Sequence, residues 1–396
     1  MEPVTHVLTG ACLARAGCNR RAAYATVAMA IAAEFPDIDT MWSVRGPVAG
    51  FEHHRGITHT FAGIPFEGGL LLLCFYGFHH FRSKKDFSQS KPASIPGTSI
   101  VPANWGLLYC FLLLALLSHI LLDYTNNYGI RPFSPFSPHW YAGSFVFIFD
   151  PLLFAMLVAG LSLPALFEMI GREIGAKRNS FRGRGWARTA LLCVLILWTL
   201  RWFEHSRAVV LAQTQTLRAP GEVLTGTRSE SPYLAEGNMP DTSQSDPEPH
   251  REVLSAQRSL ASPDPLSIFR WYTATDFGPV EQIGVADVRI GSISPGETFT
   301  KPQMNPNLLL AEHSRLGRAY MNWSPMPIIS SSPGSPDNAN LDAPDRELLT
   351  ITFADPRFMG DTPLAHLQGH TPLTGQVVLK AQGKVVAAGM DGRFGQ

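Results

Sequence analysis

Charge is scarce in this sequence. Only 16% of its 396 residues are Asp, Glu, Lys or Arg, and 32 basic side chains cancel 32 acidic ones. An ordinary soluble protein carries about 25% charge, so part of the chain is expected to avoid water. The lack of a basic excess argues against a nucleic-acid binder, which would work through phosphate contacts. Cysteine is sparse as well: Cys12, Cys18, Cys74, Cys110 and Cys193 show no CxxC spacing, and three of them sit in apolar runs. A disulfide framework and a cysteine zinc site are thereby disfavoured. There is no internal repeat and no phosphate-cradling glycine motif, and the start MEPVTHVLTG has neither the basic head nor the apolar core of a cleaved signal peptide.

What the sequence does have is long apolar runs. Trp105–Asp123, Val146–Ile170 and Trp186–Phe203 each approach or exceed the roughly 20 residues that cross a bilayer. A fourth run, Phe61–Phe81, is interrupted by Glu67 and Gly68–Gly69 but is strongly apolar over Leu70–Phe78. Val4–Ala16 and Arg21–Phe35 precede it as two shorter helices, rich in small residues of the kind that let helices approach closely in lipid. Lys and Arg orient this six-segment bundle. Thirteen lie after the first, third and fifth segments, against Arg45, Arg55 and Arg131 on the other side up to residue 200. The positive-inside rule places the thirteen in the cytoplasm. An even number of segments then leaves the tail outside.

Composition changes after Glu204. Residues 206–265 are rich in Pro, Ser, Thr and acidic side chains and read as a solvated linker. Beyond it, Val280–Ile290, Glu347–Phe353 and Gly375–Ala388 have strand character, the last as a hairpin turning near Gln382–Gly383. The expected organisation is a helical multi-pass membrane domain over 1–205, the linker, and a small, mostly β extracytoplasmic domain over 266–396.

Chemistry concentrates in four places: His6; Glu34-Phe35-Pro36-Asp37-Ile38-Asp39; His53-His54-Arg55-Gly56-Ile57-Thr58-His59; and Ser118-His119 with Asp123. The charge-derived topology puts all four on the extracytoplasmic side. Imidazole and carboxylate are the ligands of zinc and related divalent ions. His119 and Asp123, four apart, share one helix face, and that face must turn away from lipid. His54 and His59 reach the same point if the chain turns at Gly56. Pro36 diverts the Asp37–Asp39 segment from helical geometry. An extended stretch would aim these two carboxylates to opposite sides, one binding the ion and the other orienting a histidine. Read alone, His6 is also explained by packing, the Asp pair by a helix-end turn, and HHRGITH by a pH-sensing or structural role. His366 and His370 lie in a Pro/Gly-broken tail and read as surface residues, while Asp150 is a further candidate for the site.

These residues, taken in order, resemble the YdjM-type membrane-bound metal-dependent hydrolase family of bacteria. The resemblance rests on His6, Pro36-Asp37-Ile38-Asp39, His54-Arg55-Gly56-Ile57-Thr58-His59, Ser118-His119 with Asp123, Asn127-Tyr128-Gly129, Arg131-Pro132-Phe133-Ser134 and Asp150-Pro151. It covers residues 1–205; in the tail, Pro263–Trp271 and Asp355-Pro356-Arg357-Phe358 look similar to members with an added β domain. A more distant likeness is to zinc-dependent phospholipase C-like proteins. The resemblance implies a multi-pass inner-membrane protein with a hydrolytic metal site. On this reading His6, Asp37, His54, His59, His119 and Asp123 hold one to three divalent ions, zinc foremost. Asp39 is a ligand or base, and Arg55 neutralises a phosphate oxygen of a phosphoester or lipid ester substrate. The alternative is a non-catalytic metal-binding scaffold or sensor whose tail engages an envelope partner. Transport ranks last, because the last two spans carry few polar residues through their depth.

Overall fold

Small residues decide how the chain begins. Helices α1 (Pro3–Arg15) and α2 (Ala25–Glu34) form a hairpin in which Gly10 lies against Met29, and a Cβ at Gly10 would fall 2.3 Å from the Met29 carbonyl oxygen. Ala25, Ala28, Ala32 and Ala33 are buried along the same seam and against the later helices. At 13 and 10 residues the two helices rise only about 20 and 15 Å, too little to cross a bilayer. This computed structural model describes residues 1–88, 101–173, 183–218, 253–334, 348–360, 371–380 and 383–394. His366 and His370 fall outside them, as does most of the expected linker.

After α2 the chain does not extend. Phe35–Arg45 forms a 3-10 helix, with Pro36 in its first turn where the missing N–H costs nothing. At three residues per turn, Asp37 and Asp39 stand roughly 120° apart around the axis rather than on opposite sides. A short α3 (Pro47–His53) and a 3-10 turn at Ile57–His59 complete the connection to α4 (Ile64–Ser88). Then follow α5 (Trp105–Thr125), α6 (Pro151–Glu173) and α7 (Arg184–Gln213). The last three contain stretches long and apolar enough to span a membrane, and the bent pair Pro47–His59 with Ile64–Arg82 is a fourth candidate.

Two boundaries differ from the sequence expectation for one reason each. Helix α6 starts at Pro151 instead of Val146 because Asp150 caps it, its Oδ1 accepting from the Leu152 and Leu153 amides. Asp150 Oδ2 also lies 2.8 Å from Arg201 Nη2, a fully buried pair, so Asp150 serves the packing of α6 on α7. Helix α7 continues ten residues past Phe203. Its end carries Ala208 into an apolar cluster with Ala261, Trp271, Ala286 and Val288 of the tail, with Val209 and Leu211 packed against it. One continuous helix thus ties the membrane bundle to the β region.

Among the described residues, that region holds two larger antiparallel sheets. One is ordered β3 (Arg258–Pro263), β4 (Arg270–Asp276), β5 (Val280–Asp287), β6 (Ser292–Thr300). The other contains β7 (Ile328–Pro333), β8 (Leu348–Ala354), β9 (Gly375–Lys380), β10 (Lys384–Met390) and β11 (Arg393–Phe394), with β9–β10 as the expected hairpin. A two-stranded ribbon, β1 (Thr216–Arg218) with β2 (Val253–Ser255), brackets residues outside those described, so regular structure enters both ends of the stretch read as linker. The tail also carries two helices that the strand pattern did not suggest, α8 (Pro306–His313) and α9 (Arg315–Trp323), each started by a side-chain cap from Asn305 and Ser314. Tyr320 and Trp323 of α9 pack on Phe51 of α3, with ring centroids 5.6 and 5.2 Å apart.

Candidate metal centre

Four side chains from three separate elements meet inside the bundle. Asp37 comes from the 3-10 helix, His59 from the turn before α4, and His119 and Asp123 from successive turns of α5. Each offers one donor atom, and these atoms all lie within 4.8 Å of one another. His59, His119 and Asp123 are fully buried, and Asp37 is nearly so.

The hydrogen bonds behind the histidines determine which nitrogens face inward. His119 Nδ1 is 2.7 Å from the Ala33 carbonyl oxygen. A carbonyl only accepts, so Nδ1 carries the proton and Nε2 presents a lone pair. His59 Nδ1 lies 3.2 Å from Asp39 Oδ2, which leaves its Nε2 facing inward as well. The two inward Nε2 atoms are 3.0 Å apart. His59 Nε2 is 3.2 Å from Asp37 Oδ1 and 3.5 Å from Asp123 Oδ2; His119 Nε2 is 3.7 and 3.5 Å from the same two oxygens. His59 Nε2 lies within hydrogen-bond distance of Asp37 Oδ1 and His119 Nε2, while Asp123 Oδ2 has no hydrogen-bond partner among the described residues. A proton on His59 Nε2, or a metal ion bound in its place, satisfies carboxylates and imidazoles buried this closely. Bonds of about 2.0–2.1 Å to a tetrahedral ion set its donors roughly 3.3–3.4 Å apart, and the separations here straddle that value. The donor set fits a divalent ion.

The surroundings hold this arrangement. Asp39 binds outward, accepting from His54 Nδ1 at 3.1 Å, Thr58 Oγ1 at 3.3 Å and the Gly56 amide at 3.3 Å, besides facing His59. Burial alone would raise the Asp39 carboxyl, but the hydrogen bonds and charges of His54 and His59 outweigh it and hold it well below the usual carboxylate range. Burial opposes ionisation of Asp37 too, and the hydrogen bond with His59 and the nearby His119 overcome it in the same direction. Both carboxylates are therefore ready as anions at neutral pH.

Arg55 is buried rather than presented to solvent. It donates to Asp123 Oδ1 at 3.0 Å, to Asn126 Oδ1 at 3.2 Å and to the Gly129 carbonyl at 2.5 Å, and its guanidinium lies 4.6 Å from the Tyr128 ring centroid. The Met1 amino group also contacts Asp123 Oδ1. The Arg55 guanidinium thus engages one oxygen of Asp123 and leaves the other for the cluster. His6 stacks on His119 with centroids 3.9 Å apart, its Nε2 3.4 Å from Asp123 Oδ1 and both ring nitrogens without hydrogen-bond partners. His54 stands to one side. With Asp37 and Asp39 it forms a second, more accessible group of possible ligands next to the first. The expected residues are therefore brought together as a buried foursome, an adjoining trio sharing Asp37, and His6 stacked alongside.

Sequence reasoning missed the support. Asn126 Oδ1 accepts from Arg55 and from the Tyr128 and Gly129 amides, folding the chain after α5 around the guanidinium. The tail then grips that loop. Arg357 Nη1 donates to the Asn127 carbonyl at 2.8 Å, Asn127 Nδ2 to Ser262 Oγ at 3.0 Å, and Trp323 Nε1 to the Tyr128 carbonyl at 3.0 Å. Asn127-Tyr128-Gly129 and Asp355–Phe358 were visible as motifs, but nothing local says that they meet across more than 200 residues. Above the centre, His54 and Arg55 help line a cleft of about 720 Å³ whose other wall includes Leu373, Met390 and Arg393 of the tail.

Comparison with known proteins reaches the same part of the chain. A family model described as "YdjM inner membrane protein" matches residues 1–208. An uncharacterized protein, YfhP of Bacillus subtilis (strain 168), is 26% identical over 171 residues, which cover 41% of this chain and 46% of that relative. The chain thus spans about half the length of the curated relative it matches. No solved structure matches.

Proposed function

The chain belongs to the YdjM inner membrane protein family, and from that premise we propose a membrane-bound metal-dependent hydrolase acting on an ester or phosphoester at the extracytoplasmic membrane surface. The observation that carries this reading is the cluster of nitrogen and oxygen donors from Asp37, His59, His119 and Asp123, beside which His54 and Arg55 line a cleft. These four would hold the ion, zinc being the divalent ion that this nitrogen and oxygen set suits best, with His6 and His54 next in reach. A metal in such a site lowers the pKa of bound water and polarises the scissile group.

The chain's own residues do the rest. Asp39 fixes His54 and His59 in orientation, and through His54 it links the buried carboxylates to the cleft, where a proton can be passed to or from solvent. Arg55 neutralises Asp123 and sets the charge of the cleft floor. Because its guanidinium already bonds Asp123, Asn126 and Gly129, its part with an anionic substrate is electrostatic rather than a free bidentate clamp. One contact supports placing the basic segments and the cluster at different ends of the bundle. Arg184 and Arg188 of α7 bond the Ala16 carbonyl at the far end of α1 from His6, so the basic end and the cluster end of the bundle are different ends.

The test uses full-length protein purified in detergent, incubated with a phospholipid and with a soluble chromogenic phosphodiester. Turnover should be abolished by a strong chelator and restored by zinc. A protein that retains stoichiometric metal yet turns over neither substrate would overturn the hydrolase reading in favour of the metal-binding scaffold.

A further inference from the structure

The metal centre has a second approach, from the side of the lipid. A groove of about 600 Å³ runs along α2 from Thr26 and Val27, past Ala30 and Ile31, and ends at Glu34 and Asp37. Val27 and Ile31 are 59% and 45% exposed, apolar side chains at the outer face of a helix whose other face packs on α1 and α5. In an inner-membrane protein such a face meets hydrocarbon. Hydrocarbon gains nothing by leaving lipid for an apolar wall, but an unfilled groove forfeits dispersion contacts on every side, so an acyl chain occupies it by default. The occupant's chemistry therefore follows from the setting. What distinguishes this groove is where it leads.

Its far end is a carboxylate of the buried foursome. Asp37 lines the groove while its Oδ1 faces His59 and His119. Glu34 stands beside it with Oε2 lacking a hydrogen-bond partner, a polar atom at the point where chain gives way to head group. The depth also matches. Ala23 N bonds the Pro102 carbonyl just below α5, and Ala33 O bonds His119, so α2 climbs alongside α5. His119 is 14 residues above Trp105, roughly 21 Å up a helix that rises about 30 Å. His119 and Asp123 thus stand roughly 21 and 27 Å up α5, and the groove descends from the centre about 15 Å, the length of one leaflet's hydrocarbon. On the opposite side of the centre, His54 and Arg55 open into the aqueous cleft walled by the tail.

We propose that the α1–α2 groove seats one acyl chain of an outer-leaflet phospholipid and brings its phosphoester linkage to Asp37. This rests on the hydrolase reading for its chemistry, but the seating can be tested without turnover. Full-length protein is reconstituted in phosphatidylethanolamine vesicles containing a phosphatidylglycerol with a diazirine on its acyl chain, irradiated, and the labelled residues are mapped by mass spectrometry. Label should concentrate on Val27, Ala30 and Ile31 and fall roughly tenfold in Ala30→Trp or Thr26→Trp, which fill the groove. Leu192→Trp, on the 56% exposed outer face of α7, should leave the labelling unchanged, and metal content should be normal in all three. Label spread evenly over α6 and α7, label indifferent to both groove variants, or zero-length crosslinks between the α2 helices of two copies would each overturn the proposal. Failure there with persisting hydrolysis of the soluble phosphodiester separates the loss of this inference from the loss of the hydrolase reading.

Discussion

Protein carrying His119→Ala should purify with less than about a tenth of the metal bound by the native chain, and Asp123→Asn should do the same, because each removes one of four donors from a closed site. His119 is fully buried, its Nδ1 is committed to the Ala33 carbonyl, and its Nε2 lies within 3.0–3.7 Å of the other three donors. His6, stacked on its ring, could take its place only by leaving that packing. Asp39→Asn is the informative companion. Asp39 touches His54 and His59 from behind, so its loss should weaken metal affinity by roughly 10–100-fold without abolishing binding. Metal content by elemental analysis, with affinity by competition against a chelator, checks the series. Equal metal retention in His119→Ala and native protein would remove His119 from the ligand set. A complete loss in Asp39→Asn would move Asp39 into it.

Arg357→Ala should be the most destabilising change in the tail, by about 3–5 kcal/mol, since it leaves a buried carboxylate unpaired. Asp355 is completely buried and meets Arg357 through both oxygens, at 2.9 and 2.7 Å. The same guanidinium donates to the Asn127 carbonyl and lies 4.8 Å from the Trp323 ring centroid. Its loss therefore loosens the strands and also the loop that wraps Arg55 beside Asp123. A lower melting temperature should come with weaker metal binding, although Arg357 touches no member of the cluster. Arg357→Lys should recover little, because an ammonium cannot bridge two carboxylate oxygens and a carbonyl in one plane. Arg357→Ala with a native melting temperature would contradict this account of the tail as a clamp.

Much of the architecture was legible because lipid imposes long apolar runs and confines ionisable residues to functional positions. His119 and Asp123 declared themselves on a helix otherwise dominated by Leu and without other charged residues. The i,i+4 spacing already placed them on one face, and they stand there in the fold. The Asp37–Asp39 segment was harder. Pro36 was read as ending helical geometry, whereas at the first turn of a 3-10 helix it is tolerated, and the two carboxylates divide between the foursome and the histidine backs by a different rotation. Arg55 looked free in HHRGITH because sequence cannot show that Asn126 and Asp123 would enclose it. Helices α8 and α9 were missed although Asn305-Pro306 and Ser314 are ordinary helix starts; each is about two turns long, too short for a hydrophobic period to stand out from strands on either side. The grip of Arg357 on Asn127 spans 230 positions and belongs to tertiary packing alone.

The account's central claim is that Asp37, His59, His119 and Asp123 close on a single divalent ion. X-ray absorption fine structure at the metal edge of the purified, zinc-loaded full chain tests it most directly. Expected are five nitrogen and oxygen neighbours at about 2.0–2.2 Å, four from these side chains and one from water, with the outer-shell scattering of two or more imidazoles, part of which is lost in His59→Ala. A spectrum of oxygen neighbours alone, with no imidazole signature and no response to His59→Ala, would contradict it.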